Sequence, residues 1–541
     1  MSNSVSNPFA TGRSGSPRDP SWPALMANPK GGPGVLPEAL RIAAKSCGSG
    51  VKVISGAERL SYSRIDLYSN HLAAHLLECG VGPSDRVIIG LPNSTEFIIA
   101  CFAIWKAGAV VVALDHCIRP ANLEHVLEDV APTALIAGDS FAEKVQGMPS
   151  VLRLFRAFFL TGDHSQSQSA PVHVESLQSA MEEPVEMTGA AADIKPDDLA
   201  TITFTSGSTK LPKGVMHTHE SILSCASFTL SYLGLSPDDI MMLPLPLHHV
   251  LAFRRFVSCV LAHCTLVLAP DIFVMKQFSE TQPTGLVLAP SGSNILIDNF
   301  RSFFRKEGGC LRYVEVGSEP ISPGRLHALQ QMFPDARIQL TYGLTEGRVG
   351  YLHPGADGIF DRLDSSNRGL EIDVIDRDGH PVGPGESGEI LIAGSGLFSG
   401  YWGDSIEAQA RRRKEGFRTG DMGAVDENGR IRFMGRMDDM IKIAGHRINP
   451  REIEMVLQRH AGVVEAVVVA HFDPADKTGP SLCAFAIRRN GTVVSETELV
   501  AHCREHLELY KVPARIHFRE SFPKTPLGKI QRHLVMRQLL A

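Results

Sequence analysis

The hydrophobic and polar positions fall into two textures. From about Val35 to Phe433, short aliphatic runs are separated by stretches with helical spacing. Val87-Ile-Ile-Gly-Leu, Val110-Val-Val-Ala-Leu, Ala134-Leu-Ile-Ala and Leu266-Val-Leu-Ala read as strands, and Ser69 to Glu78 and Glu96 to Trp105 as helices. Such alternation predicts parallel sheets covered by helices, an α/β class. The most apolar stretch, Phe97 to Leu114, contains Lys106 and Gly108 and reads as a buried helix running into a strand, not a membrane span. The segment from Ser165 to Met187 is polar and reads as a surface excursion.

After Gly435 the texture changes. Arg436-Met-Asp-Asp439 is short and charged, as a linker would be. Asn449 then caps a helix, with Pro450 at its first position and Glu452 closing a capping box. Strands over Glu465 to Ala470 and Leu482 to Ile487 follow, and a second helix starts at Ser495. This predicts a small α+β domain of about 100 residues.

Length and composition agree with more than one domain. At 541 residues the chain exceeds one hydrophobic core, and 43% apolar with 21% charged residues is ordinary for a globular protein. The net charge of −6 leaves no basic excess for nucleic acid and no polybasic stretch for an anionic membrane. The basic run Arg411–Lys414 reads as solvated surface. Ten cysteines are scattered without a Cys-x-x-Cys pair, which argues against a zinc site or a disulfide framework and suits a reducing cytoplasm. Residues 1–34, rich in Ser, Pro, Gly and Asn, lack a signal-peptide core and read as a disordered tail.

Candidate chemistry concentrates in Thr205-Ser-Gly-Ser-Thr-Lys-Leu-Pro-Lys-Gly214, which a strand (Leu199 to Phe204) enters. Thr205, Ser206, Gly207, Ser208 and Thr209 offer hydroxyls and close backbone amides, and Lys213 adds a cation, the equipment for wrapping a polyphosphate. A polar surface loop would use the same residue types. The Walker A pattern is absent, because Pro212 stands five residues after Gly207.

This segment resembles the phosphate loop of the adenylate-forming superfamily, which includes acyl- and aryl-CoA synthetases, luciferases and peptide-synthetase adenylation domains. It departs from the family pattern at Lys210, where glycine is usual. Further segments resemble the family in the same order, over roughly residues 35 to 535. Trp105-Lys-Ala-Gly-Ala with Leu114-Asp115 matches an early motif. In Thr341-Tyr342-Gly343-Leu344-Thr345-Glu346, the resemblance implies that Thr345 meets the α-phosphate and that Glu346 helps hold Mg²⁺. Gly317-Ser318-Glu319-Pro320 is similar to the stretch lining adenine, and Asp421 and Arg436 to the pair reaching the ribose. Gly388-Glu-Ile-Leu-Ile with Gly400-Tyr401 matches another motif. Its Gly-x-Gly is not a dinucleotide fingerprint, because Tyr-Trp-Gly-Asp follows where a helix should open. Residues 435–454 resemble the family's hinge region, with Asp438 at the hinge and Lys442 and Gly445 on the face serving the second half-reaction. Pro523-Lys-Thr-Pro-Leu-Gly-Lys-Ile530 resembles the loop bearing the catalytic lysine, here Lys529.

The resemblance implies a large N-terminal domain of stacked, helix-covered sheets (35–435) and a small mobile C-terminal α+β lid (436–541), with the active site between them. It implies ATP, Mg²⁺ and coenzyme A as reaction partners, and formation of an acyl-adenylate that passes its acyl group to a thiol. Leu243-Pro-Leu-Pro-Leu-His-His-Val-Leu-Ala-Phe253 carries no acidic residue to pair an α-amine, so the expected substrate is an aliphatic or aromatic carboxylic acid. His249 is a candidate for lining the acid pocket or a core-edge histidine, and Gly347, where alanine is commoner, for enlarging that pocket. Arg254-Arg255 is unusual in an apolar stretch, and a salt bridge is the expectation. A carrier-protein thiol or an amine as acceptor stays open, as does a catalytically silent nucleotide-binding protein, against which Lys529, Glu346 and Asp421 argue. No nucleic-acid partner and no stable membrane insertion are expected.

Overall fold

The computed structural model describes residues 33–541 except 163–171, 185–192, 206–211, 270–273, 319–320, 322, 355–359, 364–369, 404–411, 414–415, 438–440, 444–445, 472–480, 525–529 and 538–541. The tail read at 1–34 lies almost wholly outside the described residues.

Two large sheets organise the chain. In the eight-stranded sheet the order is Gly400–Tyr401, Lys213–Thr218, Leu199–Thr205, Val110–Ala113, Arg86–Gly90, Ala134–Ala137, Ala157–Leu160 and His173–Ser176. All neighbours from Leu199–Thr205 onward are parallel. The fourteen-stranded sheet has a parallel half, in which Val51–Ser55, Thr265–Leu268, Ile240–Leu243, Gly285–Leu288, Tyr313–Val316 and Arg337–Gly343 lie side by side. It continues into an antiparallel half that includes Ser387–Gly394, Gly416–Val425 and Ile431–Arg436.

Strand side chains alternate between faces, and here both faces are apolar. In Arg86–Gly90, Val87 and Ile89 enter one core while Ile88 enters another; in Ile240–Leu243, Met241 and Leu243 part from Met242 in the same way. The shared core lies between the two sheets and is filled by helices Leu36–Cys47, Tyr62–Glu78, Thr95–Lys106, His219–Leu233 and Val250–Ala262. Further helices cover the outer faces, so the layers run helix, sheet, helix, sheet, helix.

Helix Thr95–Lys106 is apolar all round because it sits in the middle layer, where no face meets water. Ser94 caps its first turn by accepting from the Phe97 N–H at 3.3 Å. Trp105, fully buried, donates its indole N–H to the Ala200 carbonyl at 2.9 Å and so ties this helix to strand Leu199–Thr205. Lys106 keeps its charge at the edge of this layer because Asp66 Oδ1 (2.6 Å), the Asp66 carbonyl (2.8 Å), Ser69 Oγ (2.8 Å) and Asn70 Oδ1 (2.6 Å) all accept from it. Burial still lowers its pKa, against the pull of Asp66.

Three expectations change. The helix expected from Ser69 starts at Tyr62, where Ser61 accepts from the Arg64 N–H at 3.1 Å; its mixed polar and apolar first turns hid it. The supposed excursion from 165 to 187 contains an edge strand, His173–Ser176, and a helix, Leu177–Glu182, held down by buried Val172, Leu177 and Met181. Asn449 does cap helix Pro450–Arg459 through the Arg451 N–H (3.0 Å), but Glu452 pairs with Lys511 at 2.8 Å, so the capping box is not closed.

Beyond residue 449, Val463–His471, Ser481–Arg488 and Arg515–Arg519 form a three-stranded sheet with helices Pro450–Arg459 and Glu496–His506 on one face. A smaller cluster containing Phe485, Phe522 and Val535 covers the other face.

Candidate active site

In open α/β sheets, ligands bind beyond the carboxyl ends of the parallel strands. The segments singled out in the sequence leave such ends. Strand Leu199–Thr205 pairs with Lys213–Thr218 as a hairpin, closed by Thr205 Oγ1 donating to the Lys213 carbonyl at 3.4 Å. Ser206, Gly207, Ser208 and Thr209 lie outside the described residues. Gly214 is required by close approach: a Cβ there would meet Ile202 Cγ2 at 2.8 Å and Trp402 Cβ at 3.1 Å. The Lys213 ammonium stands 5.9 Å from the centre of the Tyr401 ring.

Tyr401 links this hairpin to the next segment, because its hydroxyl donates to Glu346 Oε1 at 2.6 Å. Thr345 and Glu346 occupy the turn between strands Arg337–Gly343 and Arg348–Pro354, closed by the Leu344 N–H donating to the Gly347 carbonyl at 2.8 Å. The turn is held by its carbonyl oxygens. Arg254 donates to Leu344 O at 3.2 Å and to Thr345 O at 3.1 Å, His217 Nε2 donates to Thr345 O at 2.8 Å, and the Phe398 N–H donates to Glu346 O at 2.8 Å. His217 is buried, and burial followed by the Arg254 charge pushes its pKa down to about 3, so the imidazole is neutral. The Thr345 carbonyl can only accept, so Nε2 carries the ring proton, and Ser221 Oγ stands 3.4 Å from Nδ1. Gly347 is buried, and a Cβ on it would meet Leu397 Cδ2 at 2.8 Å and Ile392 Cδ1 at 3.2 Å.

Beneath the turn lies a fully desolvated pair. Arg255 Nε donates to Glu315 Oε2 at 2.5 Å, and Nη2 donates to the other carboxylate oxygen. Thr341 Oγ1 also donates to Glu315, and Thr229 Oγ1 accepts from Arg255 Nη1 at 2.8 Å. The salt bridge expected at Arg254-Arg255 is thus formed by Arg255, whereas Arg254 holds backbone carbonyls. A buried charge pair persists only with its remaining hydrogen-bonding groups used, as they are here.

The third corner is built by register. Strands Gly416–Val425 and Ile431–Arg436 place Asp421 opposite Arg436. Arg436 Nη1 lies 3.1 Å from Asp421 Oδ1 and donates to the Thr419 carbonyl at 3.2 Å. The Tyr342 hydroxyl donates to Asp421 Oδ2. Burial raises the Asp421 pKa more than Arg436 and Tyr342 lower it. Gly317 is packed against Leu251 and Thr341, and Ser318 adopts φ +78°, a conformation that non-glycine residues keep where surrounding structure enforces it. Glu319 lies outside the described residues.

His249 is the N-cap residue of helix Val250–Ala262, its ring 4.3 Å from that of His248. Burial lowers both pKa values, that of His248 to about 3. Asn93, beyond strand Arg86–Gly90, joins the two sheets here: its amide donates to Leu245 O at 2.8 Å and accepts from the Leu247 N–H at 2.7 Å.

The structure therefore brings together Thr205, Lys213, Thr341, Tyr342, Gly343, Thr345, Glu346, Gly347, Asp421 and Arg436 through these bonds and the strands that carry them. Lys442 lies in the hairpin strand Ile441–Ile443, opposite Arg447. Asp438, Gly445 and Lys529 lie outside the described residues. Sequence reasoning missed His217, Glu315 and the role of Arg254. A signal for Glu315 existed: a single acid within Tyr313-Val-Glu-Val316, an otherwise apolar strand. A cleft of about 540 Å³ lined by His75, Cys79 and Glu175, among others, opens at the opposite edge of the eight-stranded sheet, away from this chemistry.

Comparison with known proteins extends this picture. The family model of AMP-binding enzymes matches residues 40–402, and that of the AMP-binding enzyme C-terminal domain matches 452–529. The 4-coumarate-CoA ligase 1 of Narcissus pseudonarcissus is 26% identical, with 89% of each chain covered. The long-chain-fatty-acid–CoA ligase of Salmonella typhimurium is 28% identical, covering 88% of this chain and 90% of that protein. The crystal structure of an anthranilate CoA ligase in complex with anthranoyl-AMP shares the fold, with a TM-score of 0.82 at 23% identity over 93% of this chain and 97% of that one.

Proposed function

Because the chain belongs to the AMP-binding enzyme family, we propose that it activates an aliphatic or aromatic carboxylic acid with ATP and transfers the acyl group to coenzyme A. The observation that supports this reading is the convergence of the Thr205–Lys213 pairing, the 344–347 turn and the Asp421–Arg436 pair, joined through Tyr401 and Tyr342.

In the first step, a carboxylate oxygen attacks the α-phosphorus of ATP, the bond to the bridging oxygen breaks and pyrophosphate leaves. The protein needs to position the reactants and stabilise charge on the transferring group. The hairpin from Thr205 to Lys213 holds the β- and γ-phosphates, Thr345 the α-phosphate, Asp421 and Arg436 the ribose, and Gly317 to Glu319 the adenine face. His249 borders the acid. In the second step, the thiolate attacks the acyl carbonyl and AMP leaves with the electron pair.

Mg²⁺ commonly takes one or two carboxylates and completes its shell with phosphate oxygens and water. Glu346 fits that use: one oxygen is fixed by Tyr401, and among the described residues it belongs to no multi-carboxylate cluster. Glu346 would hold the ion, which supplies positive charge to the phosphate oxygens. Lys529 supplies the ammonium for adenylation. A swing of 436–541 about Asp438 then exchanges it for the Lys442–Gly445 face. Ten free thiols and the lack, among the described residues, of a helix long and apolar enough to cross a membrane support placing the enzyme in the cytoplasm.

The test is ATP-dependent pyrophosphate release over a panel of fatty, aromatic and amino acids, with and without coenzyme A, beside Lys529→Ala. Release that depends on one acid and is lost in the variant, with acyl-CoA as product, is the expected result. Release with product only when a carrier protein or an amine is added would assign the other acceptor. ATP binding without release for any acid would overturn the catalytic reading.

A further inference from the structure

Helix Glu496–His506 ends in His502-Cys-Arg-Glu-His506. Positions i, i+3 and i+4 share one helix face, so two imidazoles and a carboxylate meet. One ligand atom from each of His502, Glu505 and His506 lies within 4.8 Å of the other two. The imidazole rings of His502 and His506 are 4.5 Å apart.

The hydrogen bonds prepare both rings for a cation. His502 Nε2 stands 3.1 Å from the Val456 carbonyl of the neighbouring helix, and His506 Nδ1 stands 2.8 Å from the His502 carbonyl. A carbonyl only accepts, so those nitrogens carry the protons. The lone pairs are left on His502 Nδ1 and His506 Nε2. Metal-bound histidines are held in this way, with the second ring N–H anchored on a backbone carbonyl or carboxylate. The site also sits in the last helical turn, where the helix dipole favours positive charge.

We propose that this turn binds a divalent transition ion of the zinc class through His502 Nδ1, Glu505 and His506 Nε2, with water completing the shell. Two imidazoles and one carboxylate select such an ion over Mg²⁺ or Ca²⁺, which prefer all-oxygen sets. The scattered cysteines argued against zinc, but this site needs none. Its consequence is mechanical: the ion fixes the end of Glu496–His506 while His502 keeps hold of Val456, so it stiffens the helix pair behind the three-stranded sheet. The site stands independently of the adenylation reading.

The experiment is zinc titration of the full-length, tag-free chain against a chromophoric chelator, followed by thermal melting with and without zinc. His506→Ala and Glu505→Gln are exposed changes, compared with wild type and with Cys117→Ser, which disables the separate Asp115–His116–Cys117 cluster. The expected result is one zinc per chain and a raised melting temperature in wild type and Cys117→Ser. Affinity should fall at least about tenfold in the other two variants, whose zinc-free melting matches wild type. No uptake by wild type, uptake unmoved by His506→Ala and Glu505→Gln, or uptake lost only in Cys117→Ser would each overturn the proposal.

Discussion

Arg255–Glu315 in the large body and Arg532–Glu454 near the C-terminus are both arginine–glutamate pairs, but they sit in different dielectric surroundings. Arg255 and Glu315 are completely inaccessible, and Thr341 and Thr229 use further hydrogen-bonding groups of the pair. The Arg532 side chain is 31% exposed; Glu454 accepts from it and from the Val468 N–H at 2.7 Å, so the pair staples helix Arg532–Arg537 to the small sheet. Where charge is fully desolvated, every partner is needed and the backbone above is fixed. Where water reaches one partner, as it does Arg532 but not the buried Glu454, fewer partners are needed.

The sharpest way to break the contrast is to strand one buried charge. Glu315→Leu leaves Arg255 uncompensated and should cost about 3–5 kcal/mol of stability, read by denaturant unfolding. A loss below 1 kcal/mol would mean that the pair is not desolvated as described. The next effect is on the turn itself. Arg254→Met removes both donors to Leu344 and Thr345; we expect kcat for pyrophosphate release to drop roughly a hundredfold, with the fold intact by circular dichroism. Unchanged kcat would show that the turn needs no clamp.

Acid sharpens the same region. The folded His217 has a pKa near 3 against an ordinary 6.5, so between these values only the unfolded chain takes up its proton. Its contribution to stability is complete above pH 6.5 and is lost as pH falls below it, by up to about 1.4 kcal/mol per unit. His217→Gln keeps a donor and should flatten the acid limb of a stability–pH curve by one proton; an unaltered slope would assign the proton elsewhere. The smallest effect belongs to the pair with one exposed partner. Arg532→Ala should cost about 1–2 kcal/mol, because water reaches the arginine's side of the pair and the Val468 N–H still donates to the buried Glu454. A cost matching that of Glu315→Leu would erase the distinction.

The alternation of strands and helices was readable because both strand faces are buried, which makes runs such as Val110–Ala113 continuously apolar. The segments that resemble family motifs stood out because several of them occur in the same order along the chain. What escaped was set by distant partners. Nothing local to His217 shows that it meets Thr345, and Glu315 declares a charge but not that Arg255 is its partner. Helix Tyr62–Glu78 was half hidden, since its first turns mix Ser63, Arg64 and Asp66 with the buried Tyr62 and Ile65.

Val53 pairs on one side with Leu60 of the adjacent strand Glu58–Ser61 but on the other with Leu266, roughly 210 positions later, so one edge of this hairpin waits for a neighbour that the ribosome has not yet made. At about 5–20 residues per second that wait lasts on the order of ten to forty seconds. Meanwhile the eight-stranded sheet finds nearly all its strands between residues 86 and 218 and can assemble during translation. Strand Val51–Ser55 thus emerges with one edge unpaired, and that edge is where a chaperone has the most to protect.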